Sequence, residues 1–154
     1  MTGAGGLRLF LDRSTNAKSF AQAVRELCPD VQTIGDLYGV LPAEAVQDQR
    51  WIADASAAGR ICVGADKAIL SNLLELQAIL EHSARYLVFT DNNTPTRQRI
   101  KHFRELHDQI VPLAGIPGPW VYKLTRGGLQ AVSADVLQAR LKQALQRIQH
   151  PTGE

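Results

Sequence analysis

Four times the chain runs through a short aliphatic stretch and then reaches an aspartate: residues 7–11 before Asp12, 31–34 before Asp36, 61–63 before Asp66 and 86–89 before Asp91. Runs of this length with unbroken apolar character read as strands covered on both faces. Helical patterns separate them, and that alternation predicts a parallel sheet of about five strands in a three-layer α/β/α sandwich with right-handed crossovers. The strands of such a sheet all end at one edge. The four carboxylates are therefore expected together where open parallel sheets bind their ligands.

The intervening segments fit this plan. Ser14, Thr15 or Asn16 is placed to cap a helix carrying Phe20, Val24 and Leu27, and Pro29 ends it. Residues 35–42 read as a loop, 43–58 as a helix closed by Gly59, and 71–83 as a Leu-rich helix. Thr94 and Pro95 are expected to open a helix with Ile100, Phe103, Leu106 and Ile110 on one face. Pro117-Gly118-Pro119 breaks the chain before a fifth strand at 120–124, and Gly127-Gly128 suits a turn into a short strand near 129–132. Ser133 then caps a helix striped with Leu137, Leu141, Leu145 and Ile148. The expected organisation is a flexible start over residues 1–6 and a single domain over 7–154, in which 117–154 form a C-terminal hairpin and helix.

At 154 residues one core suffices. A hydrophobic share of 45% and a charged share of 21% are those of an ordinary globular chain, which sets aside disorder and fibrous classes. Cys28 and Cys62 make no disulfide framework and read as free thiols in a reducing compartment. The first residues lack the layout of a signal peptide, and no run approaches the roughly 18 apolar residues of a membrane span, so a cytoplasmic location without membrane contact is expected.

Asp48 joins the set from another direction. On a helix over 43–58 it stands four and seven residues from Ile52 and Ala55, on the stripe that packs inward. A carboxylate there is costly unless it is paired, for example with Arg13, Arg50 or Lys67, or coordinates a cation. Several clustered carboxylates repel one another unless positive charge lies between them. Mg²⁺ or Mn²⁺, which take oxygen ligands, supply it, and such ions promote phosphodiester hydrolysis.

The residues at these positions carry a resemblance. Asp48-Gln49-Arg50-Trp51-Ile52-Ala53-Asp54-Ala55, followed by Gly59-Arg60-Ile61-Cys62-Val63-Gly64-Ala65-Asp66-Lys67-Ala68-Ile69, is similar to the second half of PIN-like domains. Leu9-Phe10-Leu11-Asp12-Arg13 resembles their opening strand and first aspartate. Residues 31–36 and the Pro-Gly-Pro-Trp strand with its Gly-Gly hairpin resemble the compact branch that includes toxins of the VapC type. The resemblance implies a Mg²⁺- or Mn²⁺-dependent ribonuclease with Asp12, Asp48 and Asp66 as metal ligands and Asp36 as a weaker fourth. It further implies an RNA substrate, a small antitoxin partner and a homodimer. The chain departs from the pattern twice: only Asp36 or Glu44 stands where many members carry Glu between the first two motifs, and Gly64 replaces the usual Thr two positions before Asp66.

Among the basic residues, Arg97, Lys101 and Arg104 share a helix face beyond Asp91, and with Arg13 and Lys67 they are the candidate RNA contacts. Trp51, Trp120 and Tyr122 suit a core or interface better than base stacking, and the four histidines fit no metal-ligand spacing. Two other readings compete. One is a catalytically silent PIN-like binding domain. The other is a phosphoacceptor receiver-like domain using Asp66, Thr90 and Lys123, although Asp12 lacks the second acid that such a domain needs.

Overall fold

The computed structural model describes residues 7–12, 14–15, 17–39, 48–65, 67–90 and 94–149, with the backbone alone at 48, 67 and 149. Six strands, β1 (Leu9–Leu11), β2 (Val31–Thr33), β3 (Ile61–Gly64), β4 (Arg85–Phe89), β5 (Trp120–Thr125) and β6 (Gly128–Val132), form one sheet in the order β2-β1-β3-β4-β5-β6. The first five run parallel, and β6 folds back antiparallel to β5. Helices α1 (Lys18–Leu27), α2 (Ile34–Tyr38), α3 (Asp48–Ala57), α4 (Leu73–Glu81), α5 (Thr96–Ile110) and α6 (Ala134–Gln149) complete the described elements, with 3₁₀ turns at Lys67–Leu70 and Val111–Gly115. The α/β/α layering expected from the strand runs is present.

Side chains alternate between the sheet's faces, and both faces are covered, which is why the strands read as continuous apolar runs. Leu9, Leu11, Val63, Leu87 and Phe89 pack on one side against Phe20 and Val24 of α1 and Phe103, Leu106 and Ile110 of α5. Phe10, Cys62, Tyr86 and Val88 pack on the other against Trp51 and Ile52 of α3, Leu76 and Ile79 of α4 and Leu137 of α6. Each large side chain fully buried in this way contributes about 1.5 to 3 kcal/mol. Trp51 stacks on Phe10 with ring centroids 5.5 Å apart.

The helix placement departs from uniform right-handed crossovers. The α1 connection moves from β1 toward one sheet edge and the α5 connection from β4 toward the other, yet α1 and α5 lie on the same face. The β4-to-β5 connection therefore has the opposite hand to those through α1, α3 and α4. One consequence concerns function: α5 packs against α1, and Arg99 reaches the loop after β1, donating from Nη1 to the Ser14 carbonyl at 3.2 Å.

Several boundaries differ from expectation for local reasons. Ile34 opens α2 rather than closing β2, because Thr33 and Asp36 form a reciprocal capping box. Helix α4 begins at Leu73 rather than 71, because Asn72 caps it, its side chain accepting from the Leu74 and Glu75 amides. The α5 helix starts at Thr96 with Pro95 ahead of it and no side-chain cap. The expected helix start at 43–47 lies outside the described residues, as does Asp91. Ser133 does cap the last helix, accepting from the Val136 amide at 3.4 Å.

At the opposite edge of the sheet Asp30 ties three strand starts together. It meets Arg8 Nε at 2.9 Å and Arg60 Nη1 at 2.8 Å, and these guanidinium groups, Arg60 foremost, hold its carboxyl below the usual range. Both cysteines are free and buried, Cys62 in β3 and Cys28 just after α1, where its Sγ lies 2.9 Å from the Leu7 carbonyl oxygen. Burial raises both thiols above their ordinary value.

Candidate active site

In the order β2-β1-β3-β4-β5 the direction of chain progression reverses between β1 and β3, the switch point at which open parallel sheets form their ligand crevice. Asp12 directly follows β1, and Asp66 lies two residues beyond the end of β3. Register pairs Leu11 with Val63, and the Asp12 amide continues the ladder by donating to the Val63 carbonyl at 3.1 Å. Asp48 is the first residue of α3. That helix connects parallel strands, so its N-terminus opens toward the same edge.

Asp12 is only 7% exposed, and its carboxylate is held from three directions. Oδ1 accepts the Ser14 amide at 2.8 Å and the Ser14 hydroxyl at 2.5 Å. Oδ2 accepts the Tyr86 hydroxyl at 2.7 Å. Ser14 Oγ in turn accepts the Ala65 amide at 2.8 Å, and Thr15 Oγ1 donates to the Val63 carbonyl at 2.7 Å, so the turn after β1 is laced to the end of β3. Burial pushes the Asp12 carboxyl above its ordinary value, and the hydrogen bonds from Ser14 and Tyr86 pull it back in part. Burial likewise raises Tyr86, helped by the Asp12 charge, and keeps its hydroxyl a donor.

No described cation forms an ion pair with this buried anion. A carboxylate oxygen has about two acceptor positions; Ser14 and the Thr15 hydroxyl, at 3.3 Å, fill those of Oδ1, whereas Oδ2 takes only the Tyr86 donor and keeps one open. A hard, oxygen-seeking divalent cation fits such a group, both by charge and by donor chemistry.

Gly64 makes this arrangement possible. A Cβ at that position would stand 2.4 Å from Asp12 Oδ2 and 2.7 Å from Tyr86 Oη. The departure from the usual Thr thus has a physical reason: the space a side chain would fill is taken by the Asp12–Tyr86 pair.

The remaining candidates are distributed as follows. Asp36 is exposed and already engaged, its Oδ2 accepting the Thr33 amide and Arg25 Nη2, each at 2.9 Å; the Thr33 amide and the Arg25 guanidinium hold its carboxyl below the usual range. Asp66 and Arg13 lie outside the described residues, as do the side chains of Asp48 and Lys67. Among the described residues no three His, Cys, Asp or Glu side chains gather in metal-ligating geometry. Arg97, Lys101 and Arg104 are exposed on α5, and Arg104 lies 3.7 Å from Glu26 of α1.

Ser14, Thr15, Tyr86 and Arg99 were not expected at the site. Ser14, Thr15 or Asn16 was expected to cap α1; that helix has Ala17 as its N-cap with no side-chain bond, because the nearby carboxylate and the Val63 carbonyl recruit the Ser14 and Thr15 hydroxyls, while Asn16 lies outside the described residues. An Asp followed by Ser and Thr two and three residues on was the available signal.

Comparison with known proteins agrees with this geometry. A family model described as a PIN like domain matches residues 7–91, more than half of the chain and the part that contains Asp12, Asp36, Asp48, Asp66 and Asp91. A Mycobacterium tuberculosis (strain ATCC 25618 / H37Rv) protein named "Putative ribonuclease VapC45" is 28% identical over 114 residues, covering 74% of this chain and 83% of that protein. No solved structure matches the chain. A switch-point crevice with a buried aspartate at the end of β1, inside a segment that the family model spans from before β1 to beyond β4, leaves one assignment: the chain belongs to the PIN-like domain family.

Proposed function

We propose that the protein is an endoribonuclease dependent on Mg²⁺ or Mn²⁺ and the toxin of a toxin–antitoxin pair. The observation that carries this reading is Asp12: a buried carboxylate at the switch point, fixed by Ser14 and Tyr86 and matched by no cation among the described residues. Family membership and the ribonuclease name of the mycobacterial relative support the substrate class.

Asp12, Asp48 and Asp66 would hold the ion, and Asp36 is the fourth candidate once its pair with Arg25 opens. The bound ion supplies charge neutralisation at the phosphodiester and activation of the attacking water. The chain's own residues do the rest. Ser14 and Tyr86 fix the Asp12 oxygens, Thr15 ties the turn to β3, and Arg99 steadies the loop through the Ser14 carbonyl. Arg13, Lys67, Arg97, Lys101 and Arg104 would steer and hold the RNA backbone. A small antitoxin would act by filling the crevice at the strand ends, with a homodimer in the cytoplasm as the working unit. Among the described residues no helix is long and apolar enough to cross a membrane.

The test is cleavage of single-stranded RNA with Mn²⁺, expected to vanish with EDTA and in Asp12→Asn and Asp66→Asn. Growth arrest on expression, relieved by the product of the neighbouring gene, tests the toxin role separately. A calorimetric titration in which the protein takes up no Mn²⁺ would sink the nuclease reading.

A further inference from the structure

Between the carboxyl ends of β4 and β5 and one face of α5 lies a cavity of about 370 Å³, bordered by Phe89, Gln98, Lys101, His102, Glu105 and Arg126. Its size is at the small end of ligand pockets, roughly 300 to 1,000 Å³. It shares the edge of the sheet with Asp12. Strand β4 stands two strand spacings from β1, about 10 Å. The same turn of α5 serves both places, since Gln98 borders the cavity while its neighbour Arg99 holds the Ser14 carbonyl beside Asp12.

Three kinds of group meet in this cavity. His102 Nε2 lies 2.6 Å from the Thr125 carbonyl oxygen, which only accepts, so Nε2 carries the proton and the ring is fixed, with its centroid 6.0 Å from that of Phe89. That is a rigid aromatic wall of the kind on which bases stack. Glu105 offers a carboxylate and Gln98 an amide, the groups that read the amino and ring N–H edges of bases. Lys101 and Arg126 supply two charges, and neither forms an ion pair among the described residues. A simple phosphate site is disfavoured because Glu105 would repel it, and an apolar ligand leaves both charges unused.

We infer that this cavity holds one nucleotide of single-stranded RNA next to the scissile position, its base against the Phe89–His102 wall with an amino edge at Glu105 and its phosphate at Lys101 and Arg126. The inference rests on the nuclease reading for its substrate, and it orders the basic face of α5: Lys101 and Glu105 border both this cavity, with Arg126, and the neighbouring groove against Ser19 and Ala23 of α1, whereas Arg97 and Arg104 border the groove alone. Uracil is the disfavoured base, because its single ring N–H lies between two carbonyls that face a carboxylate unfavourably.

The experiment is anisotropy binding of labelled five-nucleotide A, C, G and U homopolymers in EDTA, so that affinity is read without cleavage. Wild-type protein is expected to bind an amino-bearing base at least about tenfold better than U, and Glu105→Gln to remove that preference. Lys101→Ala with Arg126→Ala is expected to weaken all four alike by about tenfold and to lower the salt dependence. All three positions are on the cavity rim, and circular dichroism of each variant confirms folding. Equal wild-type affinities for the four oligonucleotides, or variants that match wild type in both affinity and preference, overturn the inference. Base-selective binding that the variants abolish, in a protein that cleaves no RNA with Mn²⁺, upholds it and sinks the nuclease reading alone.

Discussion

Gly64→Ala is the smallest change that tests whether the Asp12 arrangement is what the site depends on. Its Cβ would stand 2.4 Å from Asp12 Oδ2, whereas ordinary contact begins near 3.4 Å, so the carboxylate must retreat by about 1 Å. It cannot do so freely, because Oδ1 is fixed by the Ser14 amide at 2.8 Å and Oδ2 by Tyr86 at 2.7 Å. Overpacking of this kind costs about 1 to 3 kcal/mol, and losing a buried hydrogen bond to a charged group adds about 1 to 2 kcal/mol. The sum, about 2 to 5 kcal/mol, lowers the melting temperature of a chain this size by roughly 4 to 20 °C. Activity falls further than stability, since a 1 Å misplacement of a reacting group costs about 100-fold.

The assays are thermal unfolding and RNA cleavage at saturating Mn²⁺, read in a cycle with Tyr86→Phe. Removing the hydroxyl takes away the contact at 2.7 Å but leaves the one at 2.4 Å, so the double variant recovers part of the stability and little of the activity. Wild-type melting and wild-type cleavage by Gly64→Ala would refute the reasoning.

Two further outcomes are expected. Asp30, held below its ordinary value of 3.8 by Arg60 and Arg8, contributes stability that is complete above the unfolded value and lost as pH falls through the depressed folded one. Asp30→Asn should therefore lower stability at neutral pH, cost little in acid where that contribution is already lost, and so flatten the acid side of the stability curve below about pH 4; an unaltered stability at neutral pH with an unaltered acid limb by circular dichroism removes Asp30 from the account. Reversing Arg97 and Arg104 to Glu should weaken RNA binding and flatten its log–log salt slope by about 1.4, the share of two phosphates on a single strand. A slope that stays at the wild-type value means that these two charges touch only solvent and, for Arg104, Glu26.

The strands were legible because a sheet covered on both faces demands unbroken apolar runs, and Leu9-Phe10-Leu11 or Ile61-Cys62-Val63 tolerate no other reading. Asp12 was legible as the residue ending such a run. Helix α2 was not, since Gly35 reads as a loop residue and only the Thr33–Asp36 box reveals the cap. Tyr86 was beyond reach for a different reason: its meeting with Asp12 joins residues 74 apart and depends on the β3–β4 register that sets Cys62 beside Tyr86 and Gly64 beside Val88. The hand of the β4-to-β5 connection was equally hidden. A stripe of Ile100, Phe103, Leu106 and Ile110 says that one side of α5 is apolar, not which face of the sheet it covers. That choice brings Arg99 to Ser14 and Gln98 to the neighbouring cavity.

The two buried thiols make the chain its own timekeeper. Cys62 is sealed inside β3, flanked by β1 and β4, while Cys28 sits at the foot of α1 against the Leu7 carbonyl. A thiol reagent reaches the first only when the middle of the sheet parts and the second as soon as α1 lifts from its edge. The ratio of their labelling rates therefore distinguishes local breathing near α1 from opening of the strands beneath the active site, with no probe added to the protein.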